Sequence, residues 1–325
     1  MAVVSMLLVV AVIAVLAAAL LSRQTAFIRA AQAEQTWAQA RWLLRGEISR
    51  AQVVLRLDAQ RDPTTRLDGG WNQPVVAQVL GQIEGAPAQA FTEITDEQAK
   101  FNLRNLVASG QLDAVEAGVF LRLCGLLGVP ADQAGRIARR VVTSLVEADA
   151  QPIAAAAPAS ASEASLDEKE AQAIAQQLGI DGPPAHDLAP RPRVMDDLLA
   201  TPGVEAGSIE RLRPFVTVLP QRTWVNANTA SAEVLSAWVP GLDVDRARAV
   251  LRTRDQGQWF INRGDFVNRL QMPTLDDTPL LIGITSQWFR VSTALQMSRT
   301  TLLMQALLHD DKDSLPRLVW LREGA

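Results

Sequence analysis

The first 22 residues, MAVVSMLLVVAVIAVLAAALLS, contain no charged side chain; Arg23 is the first. As a helix this run rises about 1.5 Å per residue, enough to cross the hydrocarbon core of a bilayer. A cleaved signal peptide would need a basic opening, a shorter apolar core and a small-residue cleavage site. Leu16-Ala17-Ala18-Ala19 offers such a site, but here the apolar core begins at the first residue and the helical pattern runs past it unbroken. Beyond Arg23 the pattern turns amphipathic. Trp37, Leu44, Ile48, Ala51 and Leu55 recur on one helical face, and no proline appears before Pro63. The spacing predicts one long helix over 1–58, with residues 1–22 in lipid and the later part packed on a domain. A helix apolar from its first residue suits a chain that emerges from a processed leader, so the sequence is expected to be mature already or to have its start placed late.

The remainder has to fold around that helix. The whole chain, at 325 residues with 48% hydrophobic and 20% charged side chains, can bury more than one core. The formal net charge of −4 gives no electrostatic footprint for nucleic acid. Cys124 is the single cysteine and lies in the apolar run Phe120-Leu121-Arg122-Leu123-Cys124, which reads as a core thiol. His186 and His309 lack the companions that structural zinc or a histidine-based triad requires. No phosphate loop, dinucleotide fingerprint or nucleophile elbow occurs, so a membrane-bound hydrolase has no nucleophile and base to work with.

Residues 62–90 read as a loop with short elements, and 91–103 as strand, with Phe91, Glu93 and Thr95 on one side and Thr92 and Ile94 on the other. Helical periodicity then dominates. The stretch 152–165 is rich in alanine and serine and reads as a mobile loop. Two blocks share a layout of helix, Gly/Pro break and helix: one breaks at Gly128-Val129-Pro130, the other at Pro240-Gly241-Leu242. In the second block Asn228 or Thr229 is expected to cap the first helix and Asp243 or Asp245 the next. Strand patterning returns at 287–296, 300–308 and 315–321. The expected fold class is therefore α+β: a long N-terminal helix, transmembrane in its first half, packed on an antiparallel sheet. Residues 23–104 supply the amphipathic helix and first part of that body, 105–283 an inserted all-helical domain, and 284–325 the strands that complete the sheet.

Two patterns invite a chemical role. Val239-Pro240-Gly241-Leu242-Asp243 resembles a helix-hairpin-helix, and Arg246, Arg248, Arg252 and Arg254 follow it. The alternative this raises is a membrane-tethered DNA-binding protein of a competence-type system. Against it, Leu242 replaces the usual second glycine, and Asp243 and Asp245 would repel phosphate. The pairs Asp196-Asp197, Asp276-Asp277 and Asp310-Asp311 could supply oxygens to calcium, with Asp276 and Asp277 the candidate metal ligands, although none has EF-hand spacing.

Taken in order, several segments resemble the K-type minor pseudopilins of the type II (general) secretion system. They are the apolar opening, Trp42-Leu43-Leu44-Arg45-Gly46, the run from Ile94 to Leu106, Val216-Thr217-Val218-Leu219-Pro220, the Val225 to Thr229 block and the ending Leu315 to Trp320. The resemblance implies a pilin-like fold with a large helical insertion, set without catalysis or cofactor at the tip of a periplasmic fibre. It implies as partners the minor pseudopilins of types I, J and H, a prepilin peptidase acting at Met1, the inner-membrane secretion machinery and the bilayer. Most pilin-like proteins carry a glutamate where Ser5 stands; a serine there fits the departure described for this subtype and marks Ser5 as the assembly residue.

Overall fold

A computed structural model describes residues 2–83, 85–149, 168–179, 190–272, 281–298 and 300–324. The first element, α1 (Ala2–Arg61), is continuous through the apolar run and the amphipathic half. Over residues 2–35 every side chain whose burial is defined is exposed, and contact with the body begins around Thr36 and Trp37. From there Ala40, Leu44, Ile48, Ala51 and Leu55 are buried against the sheet, at the spacing of one helical face.

That sheet has five antiparallel strands: β1 (Val75–Ile83), β2 (Ala86–Asp96), β9 (Trp288–Gln296), β10 (Thr301–His309) and β11 (Arg317–Gly324), in the order β1-β2-β9-β10-β11. Thr92, Ile94, Val291, Leu295, Met304 and Ala306 point inward onto α1 and onto Trp71, which meets Phe289 edge-on at a centroid distance of 5.5 Å. Glu47 is also on the buried face of α1. It is kept soluble there by a hydrogen bond from Thr92 Oγ1 (2.9 Å) and an ion pair with Arg50 (2.7 Å).

Between β2 and β9 the chain makes one long excursion. It contains β3 (Phe101–Asn102), β4 (Val107–Ala108), β5 (Gln111–Leu112), α2 (Ala114–Leu126), α3 (Ala131–Asp149), α4 (Glu168–Leu178) and α5 (Ala206–Leu212). There follow β6 (Val216–Thr217), β7 (Val225–Asn226), α6 (Ala232–Trp238), α7 (Val244–Asp255), α8 (Arg263–Leu270) and β8 (Ile282–Gly283). The insertion has its own core, in which Phe101 stacks on Phe120 at 5.6 Å and meets Trp238 at 6.0 Å. Its two-residue strands pair with each other, β3 with β6 and β7 with β8 in parallel. The turns between α2 and α3 and between α6 and α7 both hold a glycine at positive φ, Gly128 (+64°) and Gly241 (+75°).

Several expectations need correction. Residues read as loop form β1 (75–83) and the first five residues of β2 (86–90). As the edge strand β1 is largely exposed, so its sequence lacks the alternation that betrays a half-buried strand. Beyond Asp96 the expected strand gives way to 3₁₀ turns at Glu97–Ala99 and Leu103–Leu106, capped by the side chains of Asp96 and Asn102. The excursion from the sheet is accordingly wider than 105–283, since the chain departs at Asp96 and re-enters at Trp288. Helix α6 is capped by Ser231 rather than Asn228 or Thr229, because Asn228 is bonded to both backbone groups of Phe260. Asp243 caps α7 as expected. The loop expected at 152–165 lies outside the described residues.

Candidate functional site

Two regions distinguish this chain from a plain helix-and-sheet body: the bare half of α1 and the neck that joins the insertion to the sheet. The apolar part of α1 is long and hydrophobic enough to cross a membrane, and none of its most apolar window is buried. Ser5 is exposed on this segment. Met1 lies outside the described residues, as do Asp276 and Asp277.

The neck sits where α1 ends. Thr65, four residues beyond Arg61, donates its backbone N–H to Ile284 O (3.0 Å) and accepts from Ser286 N at its hydroxyl (3.0 Å) and from Asn226 Nδ2 at its carbonyl (3.0 Å). Asp96, at the end of β2, is fully buried among the same groups. One carboxylate oxygen accepts from Ser286 Oγ (2.6 Å), Thr229 Oγ1 (2.6 Å) and Asn226 Nδ2 (3.3 Å), the other from Gln98 N (2.8 Å). Burial raises the Asp96 carboxyl above its usual value, although these donors act against the rise.

Its neighbour Glu97 has no exposed surface and answers burial with charge. Burial alone would raise its pKa, but Lys100 (3.0 Å), Arg290 (2.8 Å) and the hydroxyl of Thr217 outweigh it and hold the carboxyl below the ordinary glutamate value. Arg290 comes from β9, Thr217 from β6 and Glu97 from the turn after β2, so one carboxylate ties both sheet strands at the exit to the insertion. Asn102 and Asn105 continue the network. Asn102 accepts from Leu219 N and donates to Gln221 O, and Asn105 accepts from Thr223 N and donates to Thr223 O. The neck is thus a hydrogen-bonded joint rather than a tether.

The opposite end of the body is marked by Arg41, early in the packed half of α1, whose Nε lies 2.9 Å from Glu323 near the end of β11. At the other end Arg56 donates to Lys312 O. Sheet and helix therefore run side by side, and the insertion grows from the end of α1 remote from its apolar half.

The arginines after the hairpin are mostly occupied. Arg254 is buried and donates to Ala227 O (3.0 Å) and Ala230 O (2.7 Å), Arg246 donates to Leu270 O (2.6 Å), and Arg248 pairs with Glu233 (2.9 Å) and Asp245 (3.1 Å). They hold α7 to its neighbours; Arg252 is exposed on this helix, as are Arg246 and Arg248. The described acidic pairs are likewise occupied by neighbouring donors. Asp196 binds Arg213, Asp197 accepts from Arg193 N and Val194 N, Asp310 pairs with Lys312, and Asp311 accepts from Asp313 N and Ser314 N. Among the described residues no three His, Cys, Asp or Glu side chains gather as a metal site. Cys124 is buried and its thiol is pushed up to about 12 by that burial. His309 leans on Trp288 with centroids 4.6 Å apart.

Asp96, Glu97 and Asn226 lie inside two of the segments that carry the family resemblance, the run from Ile94 to Leu106 and the Val225 to Thr229 block, but the sequence alone gives them no role. The signal was there in the Asp-Glu-Gln run that stops a strand and in two asparagines flanking Ala227, but polar residues at such places are also ordinary turn formers.

A single apolar helix that leaves the body and then backs an antiparallel sheet is the architecture of a pilin-like protein, here enlarged by a second core set into the sheet. Comparison with known proteins takes this further. Two family profiles, both described as type II secretion system protein K, match residues 99–221 and 225–285, together more than half of the chain. The type II secretion system protein K of Pseudomonas aeruginosa is 25% identical over 324 residues, 98% of this chain and 90% of that one. The protein of the same name from Dickeya chrysanthemi is 29% identical over 123 residues, 36% of this chain and 34% of its own. Among solved structures, a chain of the GspK-GspI-GspJ complex from the enterotoxigenic Escherichia coli type 2 secretion system superposes with a TM-score of 0.59. It is 21% identical, with 90% of this chain and 98% of that chain covered, a likeness of fold. The chain belongs to the type II secretion system protein K family, the minor pseudopilins of K type.

Proposed function

We propose that this chain caps the tip of the periplasmic type II secretion pseudopilus, initiates its assembly, and so supports export of folded proteins across the outer membrane. The observation that carries the reading is where the insertion sits: it grows from the membrane-distal end of α1, at Thr65 and Asp96. Pilin-like subunits stack through their N-terminal helices, and each body packs beneath another. A second domain on top of the body takes the space that a subunit above would need, which restricts the chain to a terminal position. The hydrogen-bonded neck keeps that domain in place instead of letting it swing aside.

In this reading the chain is a non-enzymatic, single-pass protein of the inner membrane, with its body in the periplasm. Its partners are the minor pseudopilins of types I, J and H, of which I and J accompany the K protein in the solved Escherichia coli complex. A prepilin peptidase processes the N-terminus, and the inner-membrane machinery drives later subunits in below. No nucleic acid is required.

Ser5 supports the same position. A carboxylate buried in hydrocarbon is costly unless it meets a cation, and a topmost subunit has no neighbour above whose N-terminal amine could supply one. The variant Ser5→Glu is therefore expected to leave secretion and fibre assembly unchanged or modestly reduced, measured by export of a reporter substrate and by fibre yield. A clear gain in assembly would mean that residue 5 docks beneath another subunit, and would overturn the tip assignment.

A further inference from the structure

Beside β11 runs a groove of about 1080 Å³ whose floor and rim differ in character. Leu219, Val319 and Trp320 supply an apolar floor, while Arg191 and Arg193 stand on the rim. Both arginine side chains are exposed, and neither has an ion-pair or hydrogen-bond partner among the described residues. The hydroxyl of Thr201, also on the lining, is buried without a hydrogen-bond partner among the described residues. β11 closes the sheet order and, among the described residues, pairs with β10 alone, so its outer edge presents backbone N–H and C=O groups for a further strand. A bulge between the Leu307 and Leu308 partners gives Val319 no opposite residue and shifts the strand beside the groove. The insertion fixes the far wall, since Asp197 reaches Arg322 of β11 at 3.8 Å.

We propose that this groove binds an extended acidic segment of a partner protein, which adds to the free edge of β11 and places its carboxylates against Arg191 and Arg193. Strand addition supplies affinity through main-chain hydrogen bonds, and the rim charges select the partner's sign. Apolar side chains on alternate positions of the segment would cover Val319 and Trp320. The groove would bind such a segment whether or not the chain caps a fibre, so the two proposals fail separately.

The test uses the full chain in detergent micelles and a fluorescein-labelled decapeptide that alternates valine and glutamate. Anisotropy should show saturable binding, at least ten-fold weaker for the valine–lysine peptide and for the Arg191→Glu, Arg193→Glu double variant. Both substitutions are on exposed side chains, so the fold should persist. A version of the acidic peptide with alternate backbone nitrogens methylated should also lose at least ten-fold, and hydrogen exchange of residues 317–324 should slow only with the unmethylated one. Equal binding of both signs, full binding by the methylated peptide, no saturable binding, or an unchanged exchange pattern in β11 would each overturn the proposal.

Discussion

Glu97→Ala is expected to lower the stability of the body by about 3–5 kcal/mol, measured by urea unfolding of the full chain in detergent. The substitution does more than delete an ion pair. It leaves Lys100 and Arg290, both largely buried, without their shared anion, and strips the Thr217 hydroxyl of its acceptor. Uncompensated buried charge is among the most damaging changes a core can receive. Because the folded-state pKa of Glu97 is depressed, its contribution is present above the unfolded value of about 4.3 and is lost as pH falls through the lower folded value. The wild-type chain should thus lose stability on acidification below about pH 4.3, and the variant should lose less over the same range. A variant within about 1 kcal/mol of wild type at pH 7 would show that the neck is held by its other hydrogen bonds.

Glu116→Gln should do the opposite and stabilise the protein at pH 7, by about 2–3 kcal/mol. Glu116 is buried in α2, where burial first and the nearby Asp113 second raise its pKa to about 8, against the pull of Arg222. Below the unfolded glutamate value both states hold the proton. As pH rises from about 4.3 the unfolded chain releases it while the folded chain keeps it until near pH 8, so stability declines through that window. Glutamine keeps an acceptor for Asn105 Nδ2, which lies 3.4 Å from the carboxylate, and removes the titration. Unfolding free energies of the two proteins between pH 5 and 8 should therefore diverge as pH rises. Parallel curves would mean that Glu116 is ionised in the folded chain.

How much of this could be read from the residues depends on the kind of signal each element carries. The long helix was legible because its apolar run and its amphipathic half each repeat with a helical period, and the observed Ala2–Arg61 extends the expected 1–58 by one turn at most. Strands β9 and β10 were legible for the same reason: they lie in mid-sheet with one face on α1, so Val291, Leu295, Met304 and Ala306 alternate with exposed or half-exposed neighbours. β1 was not, since Val76 and Val79 are exposed on an edge strand whose pairing is interrupted by irregular register and by Ala77 at φ +54°. The paired helical hairpins were visible in their glycines, whereas the cap of α6 was misassigned because Asn228 has a better offer from Phe260 thirty-two residues away. The neck escaped for a related reason. Asp96, Glu97, Asn226 and Ser286 are scattered over 190 residues, and only the folded sheet brings their polar groups within hydrogen-bond reach.

The proposed tip position rests on that joint, and labelling tests it most directly. A small epitope at the exposed Arg252, on α7 of the inserted domain, would be decorated with gold on pseudopili assembled from the full set of subunits. The account predicts a single label at one end of each fibre, with the shaft bare. Gold spaced repeatedly along the shaft would contradict it.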